Sequence, residues 1–124
     1  MALDVLLFDD RTTRALAAAL GGGALQWQAT PAMRQEFARV LGYPKILVQL
    51  AVRGRTAQDL LAGFDRLARP APPAAPAGIA CADPDDQPFV DLAVALRCPL
   101  WSKDKALLAL APRLAPLGVT VRRP

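Results

Sequence analysis

The sequence contains no histidine, and that one absence removes imidazole general bases, Ser-His-Asp triads and histidine metal ligands together. Glutamate occurs once, at Glu36, so the remaining acids are all aspartates. Cysteine is limited to Cys81 and Cys98 with no Cys-x-x-Cys spacing, which excludes a zinc knuckle and a dithiol redox pair. Both read as reduced, largely buried thiols. Long apolar runs are lacking as well. The longest stretches, such as Ile46 to Val52 with Gln49 inside, fall far short of the roughly 18 residues that cross a bilayer. No charged segment followed by a cleavable apolar one stands at Met1, so the chain reads as cytoplasmic, with no membrane contact.

What is present fits one soluble domain spanning residues 1–124. At 124 residues, 53% hydrophobic and 21% charged, the chain can bury a core without disulfides or a structural metal. Its net charge of +4 and pI near 9.7 suit a polyanionic partner. Within this basic chain the aspartates gather at Asp9-Asp10 and at Asp83, Asp85 and Asp86, and such acidic knots call for an explanation.

Leu3 to Phe8 is an apolar run that fits a strand or the first turn of a helix. Asp9 or Asp10 can cap a helix from about Arg11 to Leu20, ended by Gly21 to Gly23. Leu25 to Ala29 alternates as a half-buried strand does. Thr30-Pro31 starts a helix that runs to Leu41 and closes at Gly42. Pro44 to Val52 is a short helix, and Thr56 with Asp59 caps another that ends near Ala68. Arg69 to Gly78 carries four prolines and reads as an internal linker, free of helix and ladder. After an apolar step at Ile79 to Cys81, Phe89 to Leu96 is helical, Pro99 to Ser102 a strand, Lys105 to Ala111 a helix and Val119 to Arg122 a last strand. Strands separated by helices predict an α/β fold with a mostly parallel sheet.

Without histidine, phosphodiester hydrolysis is most simply done by carboxylates around Mg²⁺ or Mn²⁺, because hard cations take oxygen ligands. Asp86 precedes a helix and reads equally as its N-cap. Asp104 follows the Leu100-Trp101 strand and carries the same double reading. Both stand at strand-to-helix junctions, where α/β sites form, so cap and ligand are compatible. Glu36 borders the apolar stripe of Met33, Phe37, Val40 and Leu41 and reads either as a solvated helix-edge acid or as a site residue.

The stretch Thr30-Pro31-Ala32-Met33-Arg34-Gln35-Glu36-Phe37, continuing to Gly42-Tyr43-Pro44-Lys45, resembles the PIN-domain family, in the branch of toxins from toxin-antitoxin modules. In that branch a helix carrying a catalytic glutamate runs into a Tyr-Pro-Lys segment. Asp83-Pro84-Asp85-Asp86 with Phe89 and Ala93 resembles the branch's third acidic site. Ser102-Lys103-Asp104-Lys105 with Leu107-Leu108 resembles its fourth. The resemblance implies a three-layer α/β/α fold and a Mg²⁺- or Mn²⁺-dependent endoribonuclease acting as a toxin. Glu36, Asp86 and Asp104 would be its catalytic acids and, with Asp83, its metal ligands, with Asp85 as an acidic neighbour and Ser102 as hydrogen-bonding support. RNA, a cognate antitoxin and a second copy of the chain would be its partners. Arg34, Lys103 and Lys105 would meet RNA phosphates, their bland reading being a solvated surface.

PIN domains open with a hydrophobic strand ending in aspartate, whereas Met1-Ala2-Leu3-Asp4-Val5-Leu6-Leu7-Phe8 resembles the start of the first helix, beyond that motif. The first strand and its acid are therefore expected to be missing, through a late start or a real truncation, and the nuclease activity of these 124 residues is expected to be impaired. A sheet without its central strand invites dimerisation or strand exchange. Two rival functions stay open. One is a catalytically inactive RNA- or protein-binding module. The other is a phosphoacceptor receiver, suggested by Val5 to Asp10, although Asp59 and Asp65 lie inside a helix and not at the end of a central strand.

Overall fold

The structure, a computed structural model, describes Leu6, residues 14–23 and residues 25–123. The strand-or-helix reading of Leu3 to Phe8, the Asp9-Asp10 cap and the missing first strand fall almost wholly outside these residues. The chain divides into two compact units, residues 2–72 and residues 73–124, and the division falls in the Pro/Ala-rich stretch.

In the first unit, an alanine- and leucine-rich run forms α1 (Arg14–Gly21). It is followed by β1 (Trp27–Ala29), two residues shorter at its start than the alternation predicts. Thr30 then caps α2 (Pro31–Val40): its hydroxyl accepts the Met33 N–H at 3.3 Å, and Pro31 stands where no N–H is needed. The Pro44 start gives α3 (Pro44–Val52). At α4 (Ala57–Leu67) the capping box is complete, with the Asp59 N–H donating to Thr56 Oγ1 at 3.1 Å and the Thr56 N–H donating to Asp59 Oδ2 at 2.9 Å.

The linker expected over 69–78 is corrected at its start. Ala68–Pro70 forms β2, parallel to β1, with Trp27 opposite Ala68 and Ala29 opposite Pro70. Proline is tolerated because it occupies the last rung, beyond which the Ala71 N–H donates to the Ala29 carbonyl at 2.9 Å. The core under this pair comprises Met33, Phe37, Leu41, Leu50, Leu60 and Phe64. Phe64 meets Trp27 edge-on at 4.6 Å and stacks on Phe37 at 5.2 Å. Gly63, a poor helix former, fits here because a Cβ would stand 3.1 Å from the Leu6 side chain.

The second unit begins with a 3₁₀ turn at Pro84–Asp86 that leads into α5 (Gln87–Leu96). Arg97 ends the helix in the left-handed region at φ 51°, and the Cys98 N–H donates to the Ala93 carbonyl at 3.1 Å. β3 (Leu100–Trp101) comes next and pairs in parallel with β4 (Val121–Arg122). The single helix expected over Lys105 to Ala111 is instead α6 (Lys105–Leu108) and α7 (Ala111–Leu114), succeeded by a 3₁₀ turn at Ala115–Leu117. Pro112 explains the break, since it has no N–H to offer the Leu108 carbonyl and suits the start of a new helix. Ile79, Val90, Ala93, Leu100, Leu107, Leu114 and Val119 form the core, and Cys81 and Cys98 pack half-buried against it as free thiols.

Both ladders are parallel and each joins strands separated by helices, which is the α/β class expected. Among the described residues no helix is long and apolar enough to cross a membrane.

Candidate functional site

The second unit brings two of the sequence-predicted acids together. The β3–β4 ladder continues beyond Trp101, where the buried Ser102 donates its N–H to the Arg122 carbonyl at 2.9 Å. The Ser102 hydroxyl then accepts the Asp104 N–H at 3.0 Å, turning the chain out of the strand. Asp104 Oδ1 in turn accepts the Ala106 N–H at 3.0 Å and caps α6. Cap and exposed acid are thus one residue, as its position at the strand-to-helix junction suggests.

Asp86 behaves differently. It occupies the N-cap position of α5, yet its side chain makes no capping bond. The turn before it is held by Asp83, whose Oδ1 accepts the Asp85 N–H at 2.9 Å and whose carbonyl accepts the Asp86 N–H at 3.1 Å. Burial pushes the Asp86 carboxyl above the ordinary aspartate range. A hydrogen bond with the Asp104 carboxyl and the charges of Asp83, Asp104 and Asp85 push it further the same way. Cys81 feels the same field: burial first, then Asp86, Asp91, Asp83 and Asp104, raise its thiol, which therefore stays protonated and unreactive.

The family's metal requires a test of fit. Among the described residues no group of three or more His, Cys, Asp or Glu side chains is gathered closely enough to hold a metal ion. The Asp86-Asp104 pair offers hard oxygen donors only. That fits Mg²⁺ or Mn²⁺ held by one or two carboxylates with water and substrate phosphate, and does not fit an all-protein cage.

The remaining candidates belong to the first unit or stand beside this pair in sequence. Glu36 belongs to the first unit, exposed on α2 and paired with Arg39. Arg34 is engaged by Asp65, donating from two guanidinium nitrogens at 2.7 and 2.9 Å. Asp65 is thereby held below the ordinary range and Arg34 raised. Lys103 and Lys105 flank Asp104 in sequence, Lys103 half-buried and Lys105 exposed. An open cleft of about 820 Å³ lies in the first unit against α1 and α4 and includes none of the candidate acids.

Sequence reasoning passed over Gln87 and Asp91, which hold the approach to Asp86. The Gln87 amide bonds to Ile79, Cys81 and Asp91, and Asp91 Oδ1 also accepts the Ala77 N–H. The signal was there, because glutamine and aspartate four apart face each other on a helix.

Among known protein families, the chain matches the PIN domain over residues 1–100. No curated protein and no solved structure matches it.

Proposed function

The chain belongs to the PIN-domain family, and from that membership we propose that it is a Mg²⁺- or Mn²⁺-dependent endoribonuclease that cuts single-stranded RNA. The observation that carries the proposal is Asp86 at the head of α5, whose side chain makes no capping bond and whose carboxyl, partly buried, is raised in part by the Asp104 carboxyl. These two residues would hold the ion. A divalent ion there supplies Lewis-acid polarisation of a phosphodiester and an ordered water for in-line attack. Asp104 would help hold the ion while its Oδ1 caps α6 at the Ala106 N–H and Ser102 fixes its backbone. Asp83 braces the turn that presents Asp86. Lys103 and Lys105 stand beside Asp104 in the chain and attract the RNA backbone. Glu36 is proposed as a further required acid, on the strength of its place in the α2 sequence. The same resemblance supports a cytoplasmic toxin held in check by a cognate antitoxin, acting as a homodimer.

The test is cleavage of a labelled single-stranded RNA by the purified chain in Mn²⁺ or Mg²⁺. Cleavage should stop in chelator and in Asp86→Asn and Asp104→Asn, and Glu36→Gln should reduce it sharply. Cleavage that survives chelation overturns the proposal. A second reading, an inactive RNA- or protein-binding module, is favoured by the absence of a three-ligand group among the described residues. RNA retained but uncut at saturating Mn²⁺ would select it.

A further inference from the structure

We propose that Gln87, acting with Asp91, is a positioning residue that closes the neck of the acid-bearing loop and so sets where the Asp86 carboxylate stands. The inference rests on the metal-dependent nuclease reading. The chain leaves Cys81, passes through Asp83, Asp85 and Asp86, and returns at Gln87. Across that neck the Gln87 side chain accepts the Cys81 N–H on Oε1 at 2.8 Å and donates from Nε2 to the Ile79 carbonyl at 2.8 Å. One primary amide thus meets a donor and an acceptor of the facing backbone, as the peptide of a neighbouring strand would. The same Nε2 donates to Asp91 Oδ1 at 2.9 Å, one helical turn further on. That oxygen also accepts the Ala77 N–H at 3.0 Å.

Alternate residues Ala77, Ile79 and Cys81 are in this way tied to one face of α5. Residues 79–81 form no strand, so these side chains take the place a ladder would otherwise fill. The bonds are partly buried, where water competes poorly for the same groups. The clamp also has a task. Three carboxylates in a five-residue loop repel one another and would spread it, and a carboxyl displaced by about 1 Å loses most of its value to a metal or a reacting phosphate.

The experiment uses Gln87→Ala, Asp91→Ala and Asp91→Asn. Mn²⁺ binding without RNA is read by electron paramagnetic resonance, amide exchange at Cys81 and Ala77 by NMR, and RNA cleavage and thermal unfolding alongside. Gln87→Ala and Asp91→Ala should weaken Mn²⁺ binding by roughly 10–100-fold, the usual effect of losing a partner that orients a ligand. Exchange at Cys81 should quicken in Gln87→Ala and at Ala77 in Asp91→Ala, and the double variant should bind no more weakly than the weaker single one. Asp91→Asn should restore wild-type affinity, because the amide oxygen still accepts both bonds. Loss in Asp91→Asn equal to that in Asp91→Ala would make Asp91 a ligand itself and overturn the proposal. So would a lowered melting temperature with unchanged Mn²⁺ affinity, which marks a merely structural clamp. A wild-type chain that binds no Mn²⁺ and cuts no RNA removes the nuclease reading and this role with it, whereas an active wild type with unaffected variants removes this role alone.

Discussion

At the residue scale, Asp86 is the informative side chain, because its position and its bonding disagree. A residue at an N-cap normally lends its side chain to the helix, and this one does not. Its carboxyl is raised above the ordinary value of 3.8 by burial and by Asp104. The folded state therefore holds this proton more tightly than the unfolded chain does. The resulting contribution to stability is present below about pH 3.8 and is lost as pH rises through the raised value. At pH 7 the metal-free protein carries the repulsion in full. Asp86→Asn should accordingly stabilise it by about 0.5–1 kcal/mol, a figure kept small because the group is partly solvated. Urea titrations in chelator at pH 7 would show the gain, and at pH 3.5 the difference should vanish. If Mn²⁺ binds here as proposed, it should raise the melting temperature of the wild type, since an ion bound only to the folded state stabilises it by mass action, and the same substitution should abolish that rise. A variant less stable than wild type at pH 7 would mean that the two carboxyls do not repel.

At the scale of elements, ends marked by side-chain chemistry are the most securely built. The Thr56-Asp59 box ties off two backbone donors, and the first cause of the lowered Asp59 carboxyl is the Thr56 backbone N–H. Thr56→Ala should cost about 1 kcal/mol in urea unfolding. Leu60, fully buried on the same helix, should cost about 2–5 kcal/mol when replaced by alanine. Such signals made α2 and α4 legible, because capping and hydrophobic spacing are local and strong. What escaped was decided by position in the fold or by proline used in an unfamiliar way. Pro70 argued against a ladder, yet on the last rung its missing N–H goes unneeded. Pro112 splits one expected helix into α6 and α7. The site obeyed the same division. Asp104 was readable as an acid at a strand-to-helix junction and Asp86 as one ahead of a helix, although no strand immediately precedes Asp86; the Gln87-Asp91 clamp beside it depends on tertiary pairing that no local pattern contains.

At the scale of the whole molecule, the charge distribution sets the remaining expectation. A chain of net charge +4 that nonetheless carries Asp83, Asp85 and Asp86 at one turn would, if it binds RNA as proposed, attract it overall and repel it at these acids. A divalent ion held there would resolve this conflict locally, leaving the cations to position the backbone. If Lys103 and Lys105 each neutralise one phosphate, binding of single-stranded RNA at saturating Mg²⁺ should weaken with salt. The slope of log K against log salt should fall by about 0.7 for each lysine replaced by glutamine. Lys103→Gln with Lys105→Gln should thus reduce the slope by about 1.4 and weaken binding alike for all sequences. Fluorescence anisotropy across a salt series reads this directly. The Arg34 guanidinium lies on Asp65. Arg34→Gln should leave the slope unchanged unless RNA displaces that carboxylate. An unchanged slope in the double lysine variant together with a reduced one in Arg34→Gln would move the RNA-facing surface away from Asp104, and with it the case that this acid meets a phosphate.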